Sequence, residues 1–198
     1  MAVLTSAALV TPGDDQLLKR WAKGDRDSLE ELFCRYRSVA YRVAYRLLGH
    51  EADALDAVQD GFIKALTHLR AFQGRSSFKT WLLRVVSNAA LDLGRQRGRR
   101  EILSMDAFAQ KQREEWEPRA IGNAAGRLER EDLRAQLQRA LAQLPEAQRR
   151  TFVLHAEAEL SYREVADVLG ISIGTVMSRL YYARQKLRAF LKPWLQVP

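Results

Sequence analysis

Residues 161–190 read SYREVADVLGISIGTVMSRLYYARQKLRAF, the pattern of two helices joined by a tight turn. Ser161 and Glu164 stand at capping-box spacing, so the serine hydroxyl can accept from the amide three residues on while the glutamate reaches back. Val165, Ala166 and Leu169 form the inner face of a short first helix. Gly170 follows where the chain must turn, and a left-handed backbone is cheapest for glycine. Ser172 is placed to cap a second helix. In that helix Val176, Leu180, Ala183, Leu187 and Leu191 recur at helical spacing and make a buried stripe. Thr175, Arg179, Tyr182 and Lys186 line the other face. Small Ala166 sits where the helices cross, with Ile171 and Val176 plugging the angle. This is the grammar of a DNA-binding helix-turn-helix, whose second helix enters the major groove.

Charge points the same way. No Asp or Glu follows Asp167, whereas Arg179, Arg184, Lys186, Arg188 and Lys192 do. An acid-free surface suits phosphates, which are held mainly by Lys and Arg. Arg179 can donate twice to a guanine edge or to phosphate. Over the whole chain, 32 Lys and Arg against 24 Asp and Glu give a net charge of +8, favouring nucleic acid over an acidic ligand. The 198 residues suffice for one large domain or two small ones. Cys34 is the single cysteine, so no disulfide framework is expected and a reducing compartment is. Its apolar and aromatic neighbours predict a core or half-buried position. No apolar run is long enough to span a bilayer, and 1–13 reads as a loose tail on a cytoplasmic protein without membrane insertion.

Upstream, the pattern is helical throughout. Asp14 and Asp15 open a first helix with Leu17, Leu18 and Trp21 inward and Gly24 ending it. Asp27 and Ser28 lead into a long second helix that Gly49 stops. A third spans roughly 53–69, with Leu55, Val58, Phe62, Ala65 and Leu69 on one stripe and Asp56, Gln59 and Asp60 as a polar edge. The loop 72–77 is a clear break. A strongly amphipathic helix over about 78–97 follows, burying Phe78, Trp81, Leu82, Val85, Val86 and Ala89. Periodicity fails over 102–126, where Glu114, Glu115, Trp116, Glu117 and Pro118 make an acidic knot; this predicts a flexible linker. A second helical domain over 127–198 then carries Leu128, Leu133, Leu137, Leu141 and Leu144. Pro145 suits the first turn of the next helix, which places Phe152, Val153 and Ala156 inside. The fold class is therefore all-α, two small helical domains joined by a linker.

Catalytic chemistry is missing from the pattern. His50, His68 and His155 stand far apart without partners at metal-ligand spacing. There is no Gly-rich phosphate cradle, nucleophile elbow or pair of carboxylates in an apolar pocket. Neither an enzyme nor a metal or cofactor is expected. Two other readings are a helix-turn-helix regulator that finds DNA without replacing the polymerase specificity subunit, and a helical adaptor that binds only protein. The acid-free basic helix speaks against the adaptor.

Three blocks carry a resemblance. They are Asp53-Ala54-Leu55-Asp56-Ala57-Val58-Gln59-Asp60-Gly61-Phe62; Phe72-Gln73-Gly74-Arg75-Ser76-Ser77-Phe78-Lys79-Thr80-Trp81-Leu82, running on to Asn88 and Asp92; and Leu144-Pro145-Glu146-Ala147-Gln148-Arg149 before the helix-turn-helix. In this order the chain resembles an RNA polymerase sigma factor of the extracytoplasmic-function (ECF) type, along nearly all of its length beyond the tail. The resemblance implies a first domain, 14–101, that binds the clamp helices of the largest subunit of core RNA polymerase through Asp56, Gln59, Asp60 and Phe62. It implies that this domain melts and reads the −10 element with Phe72, Gln73, Gly74, Arg75, Ser76, Ser77, Lys79, Arg84, Asn88, Asp92 and Arg95. The second domain would read the −35 element with Ser172, Thr175, Ser178, Arg179, Tyr182, Arg184 and Lys186 and sit on the flap of the other large subunit. A linker passing near the active centre and RNA exit path, promoter DNA and an anti-sigma factor complete the implied partners. Two departures stand out: Leu55 replaces a usual acid, and Met177 replaces a common Lys in the recognition helix.

Overall fold

The computed structural model describes residues 12–105 and 124–192, with side chains described over 12–98 and 133–192. Eight α-helices and one 3-10 turn, with no strand, make up the described residues. They fall into two compact units, 1–38 and 39–198.

The first unit holds α1 (Asp14–Ala22) and the start of α2 (Arg26–Leu48), which runs on into the second. Leu17 and Leu32 are fully buried. Arg35 donates to the Asp14 carboxylate at 2.7 Å, and the Tyr36 hydroxyl donates to the same group. Burial, together with that anion, raises the Tyr36 pKa. Cys34 is exposed rather than half-buried; its apolar neighbours Leu32 and Phe33 point elsewhere on the helix, because adjacent positions lie about 100° apart.

In the second unit α3 (Glu51–His68) packs on α4 (Phe78–Met105) across the 3-10 turn Leu69–Ala71 and the loop that follows. The buried face of α3 consists of Ala54, Ala57, Val58, Gly61 and Ala65, a stripe of small residues that lets the helix axes approach. A Cβ on Gly61 would stand 2.9 Å from Val86 Cα, closer than side chains tolerate, so only glycine fits. The expectation that Leu55 lies on this stripe is corrected: it is 49% exposed, one position out of phase with Ala54. Of the α4 residues expected inside, Phe78, Leu82, Val86 and Ala89 are buried, whereas Trp81 and Val85 are half-buried; Leu83 and Ala90, not expected there, complete the core.

Helices α5 (Ala124–Ala142), α6 (Glu146–Ala156), α7 (Tyr162–Leu169) and α8 (Ile173–Leu191) follow. The helix-turn-helix forms as read. Ser161 and Glu164 make both halves of the capping box, Gly170 adopts φ 64° in the left-handed region, and Ser172 caps α8 through the Thr175 amide. Val165, Ala166, Val176, Leu180, Ala183 and Leu187 are buried as expected, but Leu169 and Leu191 are only half-buried, and Val168 takes the inner position on α7 instead. Several expectations shift. Pro145 occupies the N-cap of α6 rather than its first turn. Leu133 and Ala156 are exposed, not inward. Residues 102–105 continue α4 and 124–126 open α5, so the expected linker is helical at both ends; the acidic knot lies outside the described residues.

Candidate nucleic-acid interface

The loop at 72–77 is anchored by aromatic packing. Phe72 lies 5.2 Å from Trp81 and 6.1 Å from Phe78, ring centre to ring centre. Gly74 turns the loop at φ 66°. Gln73, Gly74, Arg75 and Ser77 are exposed, while Phe72 and Ser76 are half-buried. Ser77 doubles as the helix cap of α4, since its hydroxyl accepts from the Thr80 amide at 3.1 Å. Lys79 is half-buried, whereas Arg84, Asn88, Asp92 and Arg95 are exposed. Their positions at 84, 88, 92 and 95 put them on one face of α4. The structure thus places the expected residues 72–77 on one loop and Arg84, Asn88, Asp92 and Arg95 on one helix face, with Lys79 off that face.

That face is already in contact within the chain. The Thr80 hydroxyl donates to Glu164 Oε1 of α7 at 3.0 Å, and Arg84 donates to the Asp167 carbonyl. Arg150 of α6 donates to Ser87 Oγ at 3.1 Å and to Asn88 Oδ1. Arg95 donates to Glu146 Oε1 at 2.6 Å, which raises the Arg95 pKa. Burial disfavours the charge on Arg150, with Glu146 in partial compensation, and its buried Nε has no hydrogen-bond partner. Between the loop and the helix-turn-helix lies a cleft of about 580 Å³, lined by Phe72, Arg75, Trp81 and Arg84 on one side and Asp167 and Ser172 on the other. None of this had a local signal in the sequence.

On the recognition helix, Ser178, Tyr182, Arg184 and Lys186 are exposed and Arg179 is half-buried. Ser172 and Thr175 are engaged with one another, hydroxyl to hydroxyl at 2.9 Å, in capping α8. Two more exposed side chains share this helix: Tyr181, which the sequence reading did not single out, and Met177, noted there only as a departure. Met177 is 55% and Tyr181 58% exposed, and with Arg184 and Arg188 they recur at i, i+4, i+7 and i+11, a signal that was present. His155, by contrast, is half-buried with its Nδ1 within 2.8 Å of the Leu160 carbonyl.

The expected polymerase edge is open. Asp56, Gln59 and Asp60 are exposed and Phe62 is half-buried. Beside them Leu55, Ile63 and Leu66 present large apolar side chains, which sequence reasoning did not assign to this face. Among the described residues no three His, Cys, Asp or Glu side chains are grouped to hold a metal ion. No described helix is long and apolar enough to cross a membrane.

An α3–loop–α4 unit followed by a helix-turn-helix is the build of a sigma-70-type specificity subunit: the Sigma-70 region 2 family model matches residues 32–100, and that for Sigma-70 region 4 matches residues 134–187. Within that class the chain belongs to the ECF RNA polymerase sigma factors. It is 33% identical over 187 residues to the ECF RNA polymerase sigma factor SigE of Mycolicibacterium smegmatis, covering 94% of this chain and 67% of the relative. With the RNA polymerase sigma-H factor of Pseudomonas aeruginosa it shares 31% identity, over 92% of this chain and 96% of the relative. Two solved structures resemble it. One is the sigma factor RpoE in complex with the anti-sigma factor NepR from Bartonella quintana, with TM-score 0.66 and 27% identity over 83% of this chain and 96% of that one. The other is CnrH in complex with the cytosolic domain of CnrY, with TM-score 0.68 and 29% identity over 91% and 97%.

Proposed function

We propose that this sigma factor binds core RNA polymerase through the exposed face of α3, opens and reads the −10 element with the 72–77 loop and α4, and reads the −35 element with α8. The observation that carries the proposal is the distribution of modules. One matched segment holds the anchored loop and the polar face of α4, and the other holds the capped helix-turn-helix, giving one reader for each promoter element. Asp56, Gln59 and Asp60 supply charge to the polymerase edge, and Leu55, Ile63 and Leu66 supply apolar area. Asn88 both donates and accepts, as capture of an unstacked base edge requires. The domain division at 14–101 and 127–198 belongs to this proposal and is supported by the matched segments.

The protein does no chemistry of its own in this reading; catalysis stays with the polymerase. It works in the cytoplasm, and an anti-sigma factor is its regulatory partner, as both solved neighbours were captured with theirs. In vitro transcription tests the whole proposal. Purified protein plus core polymerase should start transcripts at specific promoters that core alone ignores. Failure to direct any initiation, with stable binding to core, would remove the promoter-reading role.

A further inference from the structure

Two stripes flank the buried seam of α8: Thr175, Arg179, Tyr182 and Lys186 on one side, Met177, Tyr181, Arg184 and Arg188 on the other. We infer that the second stripe is the base-reading flank and that Met177, with Tyr181, reads the 5-methyl group of a thymine in the −35 element. The inference rests on α8 being the −35 reader.

Geometry selects the flank. A groove of about 920 Å³ runs between the start of α7 and α8, lined by Tyr162, Met177, Tyr181, Arg184, Gln185 and Arg188. In helix-turn-helix proteins the first helix crosses the phosphate backbone while the early residues of the second reach base edges. The groove joins the first residue of α7 to α8 from Met177 to Lys192; one DNA strand fits along it, and its Met177 end is the part that lies in the early turns of α8, where base edges are reached. Tyr162 is held there by the ring of His155, centres 5.0 Å apart. The opposite stripe is less free to read bases. Its Thr175 hydroxyl is engaged with the helix cap at 2.9 Å, and Arg179 is half-buried.

Chemistry selects the ligand. Guanine and adenine edges are read by donors and acceptors that methionine lacks. An exposed, unbranched thioether fits an apolar projection, and the only one in the major groove is the thymine methyl. The Tyr181 ring stands beside it, its hydroxyl accepting from Gln185 Nε2 at 2.7 Å and its face edge-on to Tyr182 at 5.4 Å. Arg184 and Arg188, one and two turns further on, are left to meet phosphates, and no acid after Asp167 opposes them. The occupant is promoter duplex, continuous with the recognition surface.

The test uses holoenzyme assembled from core polymerase and the full chain. Active −35 elements are selected from a randomised library, and each of their thymines is then replaced by deoxyuridine, which removes only the methyl group. One replacement should lower initiation about fourfold, the worth of one buried methyl-sized group. Met177→Ala should abolish sensitivity to that replacement while keeping preference elsewhere in the element, and Arg179→Ala should leave the sensitivity intact. If no thymine replacement affects the wild type, or the penalty persists unchanged in Met177→Ala and Tyr181→Ala, methyl reading is overturned. A selection that yields no −35 preference at all overturns the assignment of α8 to that element, and this inference with it.

Discussion

Gly61 sets how closely α3 and α4 approach, and a single methyl group tests it. Gly61→Ala gains about 1 kcal/mol of helix propensity but forces a Cβ to 2.9 Å from Val86 Cα, an overpacking that costs about 1–3 kcal/mol. The expected net result is a lower urea midpoint; a higher one would show that the helices can part without loss. This contact also explains what the sequence hid. Large apolar residues draw the eye, so Leu55 reads as core, yet the seam is made of Ala54, Ala57, Val58, Gly61 and Ala65. Leu55, Ile63 and Leu66 are turned outward instead. Asn88 offers the opposite test. It is exposed but accepts from Arg150, so Asn88→Ala should cost about 1 kcal/mol of stability and leave core binding intact. Permanganate footprinting should then show loss of −10 opening on duplex promoters, with recovery on pre-melted templates. Normal opening would place base capture on another residue.

Among the elements, the two ends of α7 were legible because their signals are local. Ser161, Glu164 and Gly170 act within a few residues of where they stand, and each does in the structure what its spacing predicts. The ends of α4 and α5 were not legible, since 102–105 and 124–126 carry no apolar period. Ser161→Ala should cost about 1 kcal/mol through the lost cap. The Glu164 carboxyl pKa is lowered, first by its hydrogen bond from Ser161, with Thr80 and Lys79 adding to it and burial opposing. A lowered folded-state pKa means stability that is present above the ordinary value of 4.5 and lost as pH falls through the folded value. Acid titration followed by circular dichroism should therefore show wild type losing stability more steeply below pH 4.5 than Glu164→Gln. Parallel curves would mean that the carboxylate does not hold the cap.

Across the molecule, the face of α4 proposed to read the −10 element and the helices that present α8 share the same hydrogen bonds. Arg150 and Asn88 are 62 positions apart, and no periodicity connects positions so distant, which is why this arrangement was illegible. If Asn88 and Arg84 are promoter contacts as proposed, Arg150 and Asp167 compete for them. Free protein should accordingly bind promoter DNA weakly, and core polymerase should raise the affinity sharply in gel shifts. Arg150→Met gives a test in which two effects have opposite signs. Losing a cation weakens DNA binding by simple electrostatics, whereas releasing Asn88 strengthens it, and methionine keeps the packing of the stem. Tighter binding by the free variant is expected; weaker binding would mean that the contacts do not compete with DNA.

The pairing of Arg150 with Asn88 also bears on how interchangeable the two halves are. A hybrid that joins this α3–α4 unit to the helix-turn-helix of a relative would keep both promoter readers but not the hydrogen bonds that occupy them. Such a hybrid should be a leakier switch than either parent, active at lower polymerase concentration and harder to silence.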